Sequence, residues 1–241
     1  MKCLDDWTRR EKITDLTLLF FFFFFFPLIA GLEAWRLDRL GPEGRIVLLG
    51  HSFGGLISTH YTKRYPQHVI HLILAAPAGV KAPDQARIDR VWRSTWLRRY
   101  ALHLWRSNVT LQAIVRSLPF GIGPMLCRYY VRTRWQAGGG KLDRETLRLV
   151  SEYAIGPVML PGCSEKALNM CIQPISHSRT PIGPIVENEL PASIPVDFIT
   201  GEKDCFCSPL AATEVVQRMK AKGRTNVESH VLHNTVGAKG S

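Results

Sequence analysis

The sequence contains little that would bind a metal or build a disulfide framework. Its 241 residues include six cysteines, none in a Cys-x-x-Cys pair, and eight histidines that form no cluster at ligand spacing. A zinc site and a disulfide-rich scaffold are therefore not predicted, and no metal is expected. We interpret the cysteines as reduced thiols of a cytoplasmic protein.

Acidic residues are also scarce. The chain has 20 Asp and Glu against 31 Lys and Arg, a formal net charge of +11. This balance favours anionic partners, namely phospholipid surfaces, nucleic acid or phosphate-bearing substrates, and its sign alone does not choose among them. No nucleic-acid-binding motif accompanies the charge, so a nucleic-acid partner is not predicted. The length and the 46% hydrophobic content suit one globular domain with a sizeable core.

The N-terminal segment, residues 1–31, lacks the periodicity of an amphipathic helix or a strand. Residues 16–32 are almost continuously apolar and include seven successive phenylalanines, followed by Pro27. Three interpretations are open: a membrane anchor with basic residues upstream, a cleaved signal peptide, and a low-complexity segment. The lack of periodicity favours the third.

A strand–helix–strand pattern follows in residues 32–79. The apolar run at 45–49 predicts a buried strand, and residues 53–64 place apolar side chains at helical spacing. The β-branched run at 69–75 predicts a second strand, parallel to the first. The sequence therefore predicts an α/β fold with a mostly parallel sheet.

The junction between that first strand and the helix reads Gly50-His51-Ser52-Phe53-Gly54. A strand that turns sharply into a helix holds its serine in a strained conformation, and Gly50 and Gly54 leave room for it. This pattern predicts a nucleophile elbow, with Ser52 as nucleophile and the Phe53 amide stabilising an oxyanion. His51 is interpreted as an elbow residue that packs locally, because adjacent residues diverge at a sharp turn.

The remaining chain predicts a helical cap and a return to the sheet. Residues 80–190 are helical and irregular, whereas residues 191–241 contain two strand candidates, at 194–200 and 227–232. Between these strands, Ser208 as N-cap and Pro209 at the first position predict a helix.

A serine nucleophile needs a base and an orienting carboxylate. Asp204 is the candidate acid because it follows a strand end and precedes a helix. Glu202 is the alternative in the same loop, and Asp197 is the poorer choice because it lies within the strand. His233 is the candidate base, with His230 the other histidine near the last strand, but we favour the interpretation that the chain ends before its base.

Several stretches carry a resemblance to a known subfamily, and they cover roughly residues 32–232. They comprise Glu33-Ala34-Trp35-Arg36, the elbow with Gly55, Leu118-Pro119-Phe120-Gly121, Tyr129-Tyr130-Val131-Arg132, Ser164-Glu165-Lys166-Ala167-Leu168-Asn169 and Pro195-Val196-Asp197-Phe198-Ile199-Thr200-Gly201. Together they resemble the α/β-hydrolases that include phospholipid lipases, lysophosphatidic acid acyltransferases and the triglyceride-lipase co-activator.

The resemblance implies an α/β-hydrolase fold with Ser52 as nucleophile and Asp204 at the acid position. It also implies ester chemistry on phospholipids or lysophospholipids without a cofactor, with acyl-CoA as co-substrate if the reaction is acyl transfer. Three features of the subfamily are absent: the four strands before the elbow strand, the His-Gly oxyanion loop, and a C-terminal His-x-x-x-x-Asp, since Thr235 and Ala238 stand where Asp would follow His230 and His233. We therefore expect a chain truncated at both ends.

The cap supplies the expectation about partners. Residues 81–135 contain eleven Lys and Arg but only two acids, interleaved with tryptophans. Such a surface suits an anionic membrane, a lipid droplet or a lysophosphatidate head group, and equally a solvated basic face over a packed core. The alternative function is a catalytically incomplete lipid-surface binding or regulatory protein.

Overall fold

The computed structural model describes residues 15–82, 86, 90, 93–137, 142–160, 164–173, 177–202, 204 and 207–233. The side chains of residues 15–25, 134–137, 164, 170, 173 and 177 are outside this description. Of the cysteines, Cys127, Cys171 and Cys207 are described, and all three are free thiols.

Fifteen helices and strands are assigned within these residues. The helices are α1 (Asp15–Leu40), α2 (Phe53–Arg64), α3 (Trp96–Arg106), α4 (Leu111–Ser117), α5 (Ile122–Ala137), α6 (Arg144–Met159), α7 (Ser164–Cys171), α8 (Ile182–Asn188) and α9 (Pro209–Ala221). The strands are β1 (Ile46–His51), β2 (Val69–Ala75), β3 (Ile172–Gln173), β4 (His177–Ser178), β5 (Val196–Gly201) and β6 (Val227–Leu232). A short 3₁₀ turn, Pro66–His68, precedes β2.

The main sheet has the strand order β1-β2-β5-β6, and each neighbouring pair is parallel. Parallel neighbours need a crossover, which α2 supplies between β1 and β2 and α9 supplies between β5 and β6. The predicted parallel sheet is confirmed. Strands β3 and β4 form a separate antiparallel pair.

The sheet is packed on one face only among the described residues. On the packed face, Leu72, Leu74 and Phe198 are fully buried against α2, α8 and α9. On the opposite face, Val47 and Leu49 are 56% and 61% exposed. We call this second surface the open face.

The predicted cap region, residues 80–190, contains helices α3 to α8 and the β3–β4 pair. Thr110 caps α4 by accepting a 3.0 Å hydrogen bond from the Ala113 amide. The Thr110 hydroxyl also donates to Glu165 on α7 over 2.7 Å, and Arg116 of α4 donates to the same carboxylate over 2.9 Å. Glu165 thereby fixes α7 to α4, 49 residues away from Arg116.

Helix α1 runs from Asp15 to Leu40 and passes through Pro27. The sequence favoured a low-complexity segment here because periodicity was absent, but helix formation requires backbone propensity and not amphipathic spacing. The division expected at residue 31 falls inside this helix. No helix in the described part of the chain combines the length and the apolar character needed to cross a bilayer.

Candidate active site

Ser52 occupies the sharp junction between β1 and α2. Its backbone has φ 53° and ψ −118°, a conformation that costs a non-glycine residue about 1–3 kcal/mol. Two hydrogen bonds of 3.0 Å hold it there: its amide donates to the Ala75 carbonyl, and its carbonyl accepts from the Ala78 amide. Ser52 therefore lies in a strained conformation at a strand-to-helix turn.

The glycines around Ser52 differ in how closely they are packed. A Cβ on Gly50 would lie 2.5 Å from Ser58 Oγ and 2.6 Å from the Gly54 carbonyl oxygen. A Cβ on Gly55 would lie 2.7 Å from Pro77 Cβ, whereas a Cβ on Gly54 would meet no described atom within 4 Å. The close approach predicted for Gly50 is therefore found, and the second tight position is Gly55 rather than Gly54.

Phe53 is the first residue of helix α2, so its backbone N–H is the first amide of that helix. The first N–H groups of a helix have no intrahelical acceptor, and the helix dipole favours negative charge beside them. His51 is exposed at the end of β1, opposite Ala75 in the sheet register.

The predicted acid loop lies at the same edge of the sheet, after β5. Asp204 is partly buried, and its Oδ1 accepts a 2.9 Å hydrogen bond from the Cys207 amide. The expected N-cap, Ser208, makes no side-chain capping bond, because the Asp204 carboxylate shapes this turn instead.

His233 lies directly after β6. Its Nδ1 is 3.6 Å from Glu202 Oε2, and the two side chains are 74% and 48% exposed. Two strands, β2 and β5, separate β6 from β1, so the ends of β1 and β6 are about 14 Å apart at the usual strand spacing. His233 and Ser52 thus share an edge of the sheet without being neighbours.

Other histidines have clear local positions away from Ser52. His60 Nε2 lies 3.3 Å from Thr180 Oγ1, and burial together with Lys63 lowers the pKa of His60 to about 3. His68 lies 3.9 Å from Glu33, and His230 lies 3.4 Å from Glu228. Asp197, the poorer acid candidate, points along the open face, where its Oδ2 is 2.9 Å from His71 Nε2.

The buried thiols are unsuited to nucleophilic chemistry. Burial raises the pKa of Cys171 to about 12 and the pKa of Cys207 to about 12. Since the thiolate is the nucleophile and the metal ligand, both side chains are inert at neutral pH.

A basic cavity opens in the cap. It has a volume of about 410 Å³ and is lined by Arg93, Arg99, Leu102, His103 and Arg106. Among the residues that the structure describes, none in this lining carries a carboxylate. The sequence indicates a basic cap. It does not show that residues of α3 and the segment before it form one concave surface.

A chain of contacts leads from the elbow towards this cavity. Ala78 donates to the Ser52 carbonyl, and the next residue, Gly79, approaches Ser178 so closely that a Cβ would lie 2.1 Å from Ser178 Cβ. Arg179 follows in the chain, and the pKa of its guanidinium is lowered mainly by burial and further by Arg106 of the cavity. The β2 loop and the cap are thus connected beside Ser52. The positive φ of 76° at Gly79 was not predicted, and the only signal for it in the sequence is Pro77-Ala78-Gly79.

Comparison with curated proteins finds lipid-acting relatives. A 1-acylglycerol-3-phosphate O-acyltransferase of Arabidopsis thaliana is 32% identical over 197 residues, 80% of this chain and 45% of that protein. The human 1-acylglycerol-3-phosphate O-acyltransferase ABHD5 is 36% identical over 185 residues, covering 74% of this chain and 48% of that protein. The mouse (lyso)-N-acylphosphatidylethanolamine lipase is 39% identical over 97 residues, covering 39% and 27% of the two chains.

The chain spans about half the length of the acyltransferases it matches. Among solved structures, a probable hydrolytic enzyme of Pseudomonas aeruginosa has a TM-score of 0.51 at 20% identity, covering 88% of this chain and 62% of that one. The sequence profile of the alpha/beta hydrolase fold matches residues 27–235. The resemblance and the fold class predicted from the sequence are thereby confirmed, and the chain belongs to the alpha/beta hydrolase fold family.

Proposed function

We propose that this chain is a serine-dependent enzyme that acts on the ester bonds of glycerophospholipids or lysophospholipids, by hydrolysis or by acyl transfer. The observation that carries the proposal is the strained backbone of Ser52 at the β1–α2 junction. Strain of this kind persists only where the surrounding structure imposes it, and a nucleophile elbow is a known reason for it.

The proposed reaction begins with attack of Ser52 Oγ on the acyl carbonyl carbon. The Phe53 amide donates to the resulting oxyanion, and the alcohol leaves when it receives the serine proton from the base. Water, or an acceptor hydroxyl in the transferase reaction, then takes the acyl group from Ser52. In the transferase case an acyl-CoA would be the donor: Ser52 attacks its thioester carbonyl, and the CoA thiol leaves with the serine proton in place of the alcohol. None of these steps requires a metal.

The proposed base is His233 and the proposed acid is Asp204. Asp204 is the better orienting group than Glu202, because it is partly buried and its carboxylate is fixed by the Cys207 amide. In this assignment His233 leaves the exposed Glu202 side chain, and the segment that carries it folds back across β5 and β2 towards Ser52. The solvent-exposed pairing with Glu202 is weak, but the movement also requires the end of β6 to separate from β5, where the Leu232 carbonyl accepts a 3.0 Å hydrogen bond from the Glu202 amide.

The lipid substrate is supported by the basic cavity together with the names of the relatives. Those relatives act on 1-acylglycerol-3-phosphate or on N-acylphosphatidylethanolamine, which both combine an acyl chain with a phosphate. Arg99 and Arg106 line a cavity to which no described residue contributes a carboxylate, and guanidinium groups are well suited to bind phosphate. The proposed head-group position is therefore this cavity.

A fluorophosphonate probe, which labels activated serines, tests the proposal directly. We expect the full chain to be labelled, the Ser52→Ala variant to be unlabelled, and the exposed cap variant Ser107→Ala to be labelled like the parent. Absence of labelling in a chain whose circular dichroism and urea unfolding show a folded protein would reject the enzymatic function. Fatty acid release from lysophosphatidic acid, with and without acyl-CoA, then separates hydrolysis from transfer.

A second candidate function is binding to an anionic lipid surface without catalysis, as a regulatory protein. It is favoured by the exposed aromatic side chains of the cap: Phe120 is 99% exposed, Tyr153 is 80% exposed and Trp96 is 79% exposed. Aromatic side chains beside arginines are typical of proteins that lie on a membrane interface. Sedimentation with phosphatidic acid vesicles by a chain that the fluorophosphonate does not label would support this function and exclude the first.

A further inference from the structure

Four potential metal ligands from three neighbouring strands meet on the open face of the sheet. Asp197 of β5, Glu228 of β6 and His230 of β6 each place one ligand atom within 4.8 Å of the other two. His71 of β2 lies beside this group and contacts one member of it, since its Nε2 is 2.9 Å from Asp197 Oδ2. None of these residues belongs to the elbow or to the acid loop.

The sheet register brings these side chains together. Asp197 is paired directly with Glu228, and Glu228 and His230, two residues apart on one strand, point to the same face. Ile73 pairs with Asp197. His71, two residues before Ile73, is therefore the diagonal neighbour of Asp197 on the same face. The four residues are spread over positions 71 to 230, which is why no compact ligand spacing appears in the sequence.

The local electrostatics favour a cation. Two carboxylates that face each other on adjacent strands repel, and a bound cation would remove that repulsion. The His71 Nε2 atom is inaccessible to solvent and has no hydrogen-bond partner of acceptable geometry among the described residues, although Asp197 Oδ2 is only 2.9 Å away. The Nε2 atom therefore lacks a well-aligned donor or acceptor, and the pair would have to open from 2.9 Å to hold an ion between its two atoms.

We propose that His71, Asp197, Glu228 and His230 form a zinc site that joins β2, β5 and β6. Two imidazoles with two carboxylates match the ligand preference of Zn²⁺ and not that of Mg²⁺ or Ca²⁺, which prefer oxygen alone. Tetrahedral ligands at about 2.0–2.2 Å from zinc lie about 3.3–3.6 Å apart. The Glu228 and His230 side chains are 63% and 47% exposed, so they are free to rotate over the small distance required.

Zinc titration against a competing chromophoric chelator tests the proposal on the full, metal-free chain. We expect one equivalent to bind with micromolar or lower Kd, and we expect His71→Gln and His230→Gln each to weaken binding at least tenfold. His233→Gln is the matched control, because His233 also faces a carboxylate at the strand ends but lies outside the cluster. Its Kd should equal that of the parent.

Cobalt substitution identifies the ligands independently of affinity. The site should give the visible bands of tetrahedral Co²⁺ without thiolate charge transfer, and the bands should disappear in the isosteric Asp197→Asn variant. Added zinc should also raise the Tm of the parent but not that of Asp197→Asn, since zinc binds the assembled cluster rather than the unfolded chain. Equal zinc affinity in the parent and the His71, His230 and Asp197 variants, a thiolate signal, or no binding below 100 µM would overturn the site and leave an ordinary histidine–carboxylate ion pair.

Discussion

Tyr61 Oη donates a 2.7 Å hydrogen bond to Glu33 Oε2 and so connects α2, the helix behind Ser52, to α1. The same carboxylate accepts two hydrogen bonds from Arg36, of 3.0 and 2.8 Å. Arg36 is fully buried and also donates to the carbonyls of Gly41 and Gly44, just before β1. One polar cluster therefore holds the N-terminal helix, the turn before β1 and the elbow helix together.

Removing single members of this cluster should have graded effects on stability. We expect Tyr61→Phe to lower the free energy of unfolding by about 1–2 kcal/mol, because Glu33 keeps Arg36 as partner. Arg36→Met should cost about 3–5 kcal/mol, because it leaves a carboxylate and several carbonyls without their donor. Urea denaturation measures both, and equal losses for the two variants would contradict this account of the cluster.

The elbow glycines should differ in their tolerance of alanine. Gly50→Ala places a methyl group 2.5 Å from Ser58 Oγ, and we expect it to destabilise the chain by at least about 2 kcal/mol and to reduce fluorophosphonate labelling. Gly54→Ala introduces no described contact and replaces a helical glycine, so its stability should be unchanged or higher by up to about 1 kcal/mol. Thermal unfolding of the two variants measures this difference. A Tm of Gly50→Ala above that of Gly54→Ala would contradict the packing described.

The sequence predicted the local pattern around these residues well. The boundaries of α2, β2 and β6 agree with the predicted residues 53–64, 69–75 and 227–232, because each element carries a local pattern of its own, such as the helical spacing of α2 before Pro66 and the β-branched run of β2. Contacts between residues that are far apart in the sequence leave no comparable local pattern. The close approach of Gly55 to Pro77 and the ligand cluster on the open face depend on register and strand order, which the sequence does not state.

The acid assignment is testable by comparing two neighbouring carboxylates. We expect Asp204→Asn to lower the rate of fluorophosphonate labelling at least tenfold, because the base loses its orienting group. Glu202→Gln should leave the rate unchanged or raise it, since it releases His233 from an exposed pairing. A loss confined to Glu202→Gln would move the acid role to Glu202, and unaltered labelling in His233→Gln would require another base.

His60 should make the chain less stable as the solution becomes mildly acidic. Burial lowers its pKa from 6.5 to about 3, so the unfolded state binds more protons than the folded state between those values. The contribution of neutral His60 is complete above pH 6.5 and is progressively lost as the pH falls towards 3. At pH 5 the free energy of unfolding should be lower than at pH 7 by about 2 kcal/mol.

Urea titrations at pH 7 and pH 5 measure this effect. The carboxyls of Glu33, Glu165 and Glu187 contribute little between these pH values, because both lie above the ordinary glutamate pKa of 4.5. Arg36, Arg116, and Lys222 with Arg218 lower the pKa values of these carboxyls, so their stabilising contribution is lost mainly at lower pH. His60→Gln should reduce the difference in the free energy of unfolding between pH 7 and pH 5, whatever its effect on absolute stability. A parent-like slope in that variant would assign the pH dependence to another histidine.

The basic cavity should determine head-group preference. We expect Arg99→Gln and Arg106→Gln each to weaken binding to phosphatidic acid vesicles by about tenfold while leaving binding to neutral phosphatidylcholine vesicles unchanged. Arg128→Gln serves as the control, because Arg128 pairs with Glu152 on the cap surface and does not line the cavity. Equal losses in all three variants would indicate a general charge effect rather than a site.

The one-sided packing of the sheet affects which spectroscopic measurements can identify the folded state in solution. Val47, Leu49 and Leu232 leave apolar surface accessible while the opposite face stays fully packed. Dyes such as ANS, whose fluorescence usually indicates a molten globule, should therefore bind the native chain as well. A folded sample can be mistaken for a collapsed one on that criterion alone, and near-ultraviolet circular dichroism, which reports fixed packing around side chains such as Tyr61, is the appropriate measure of its integrity.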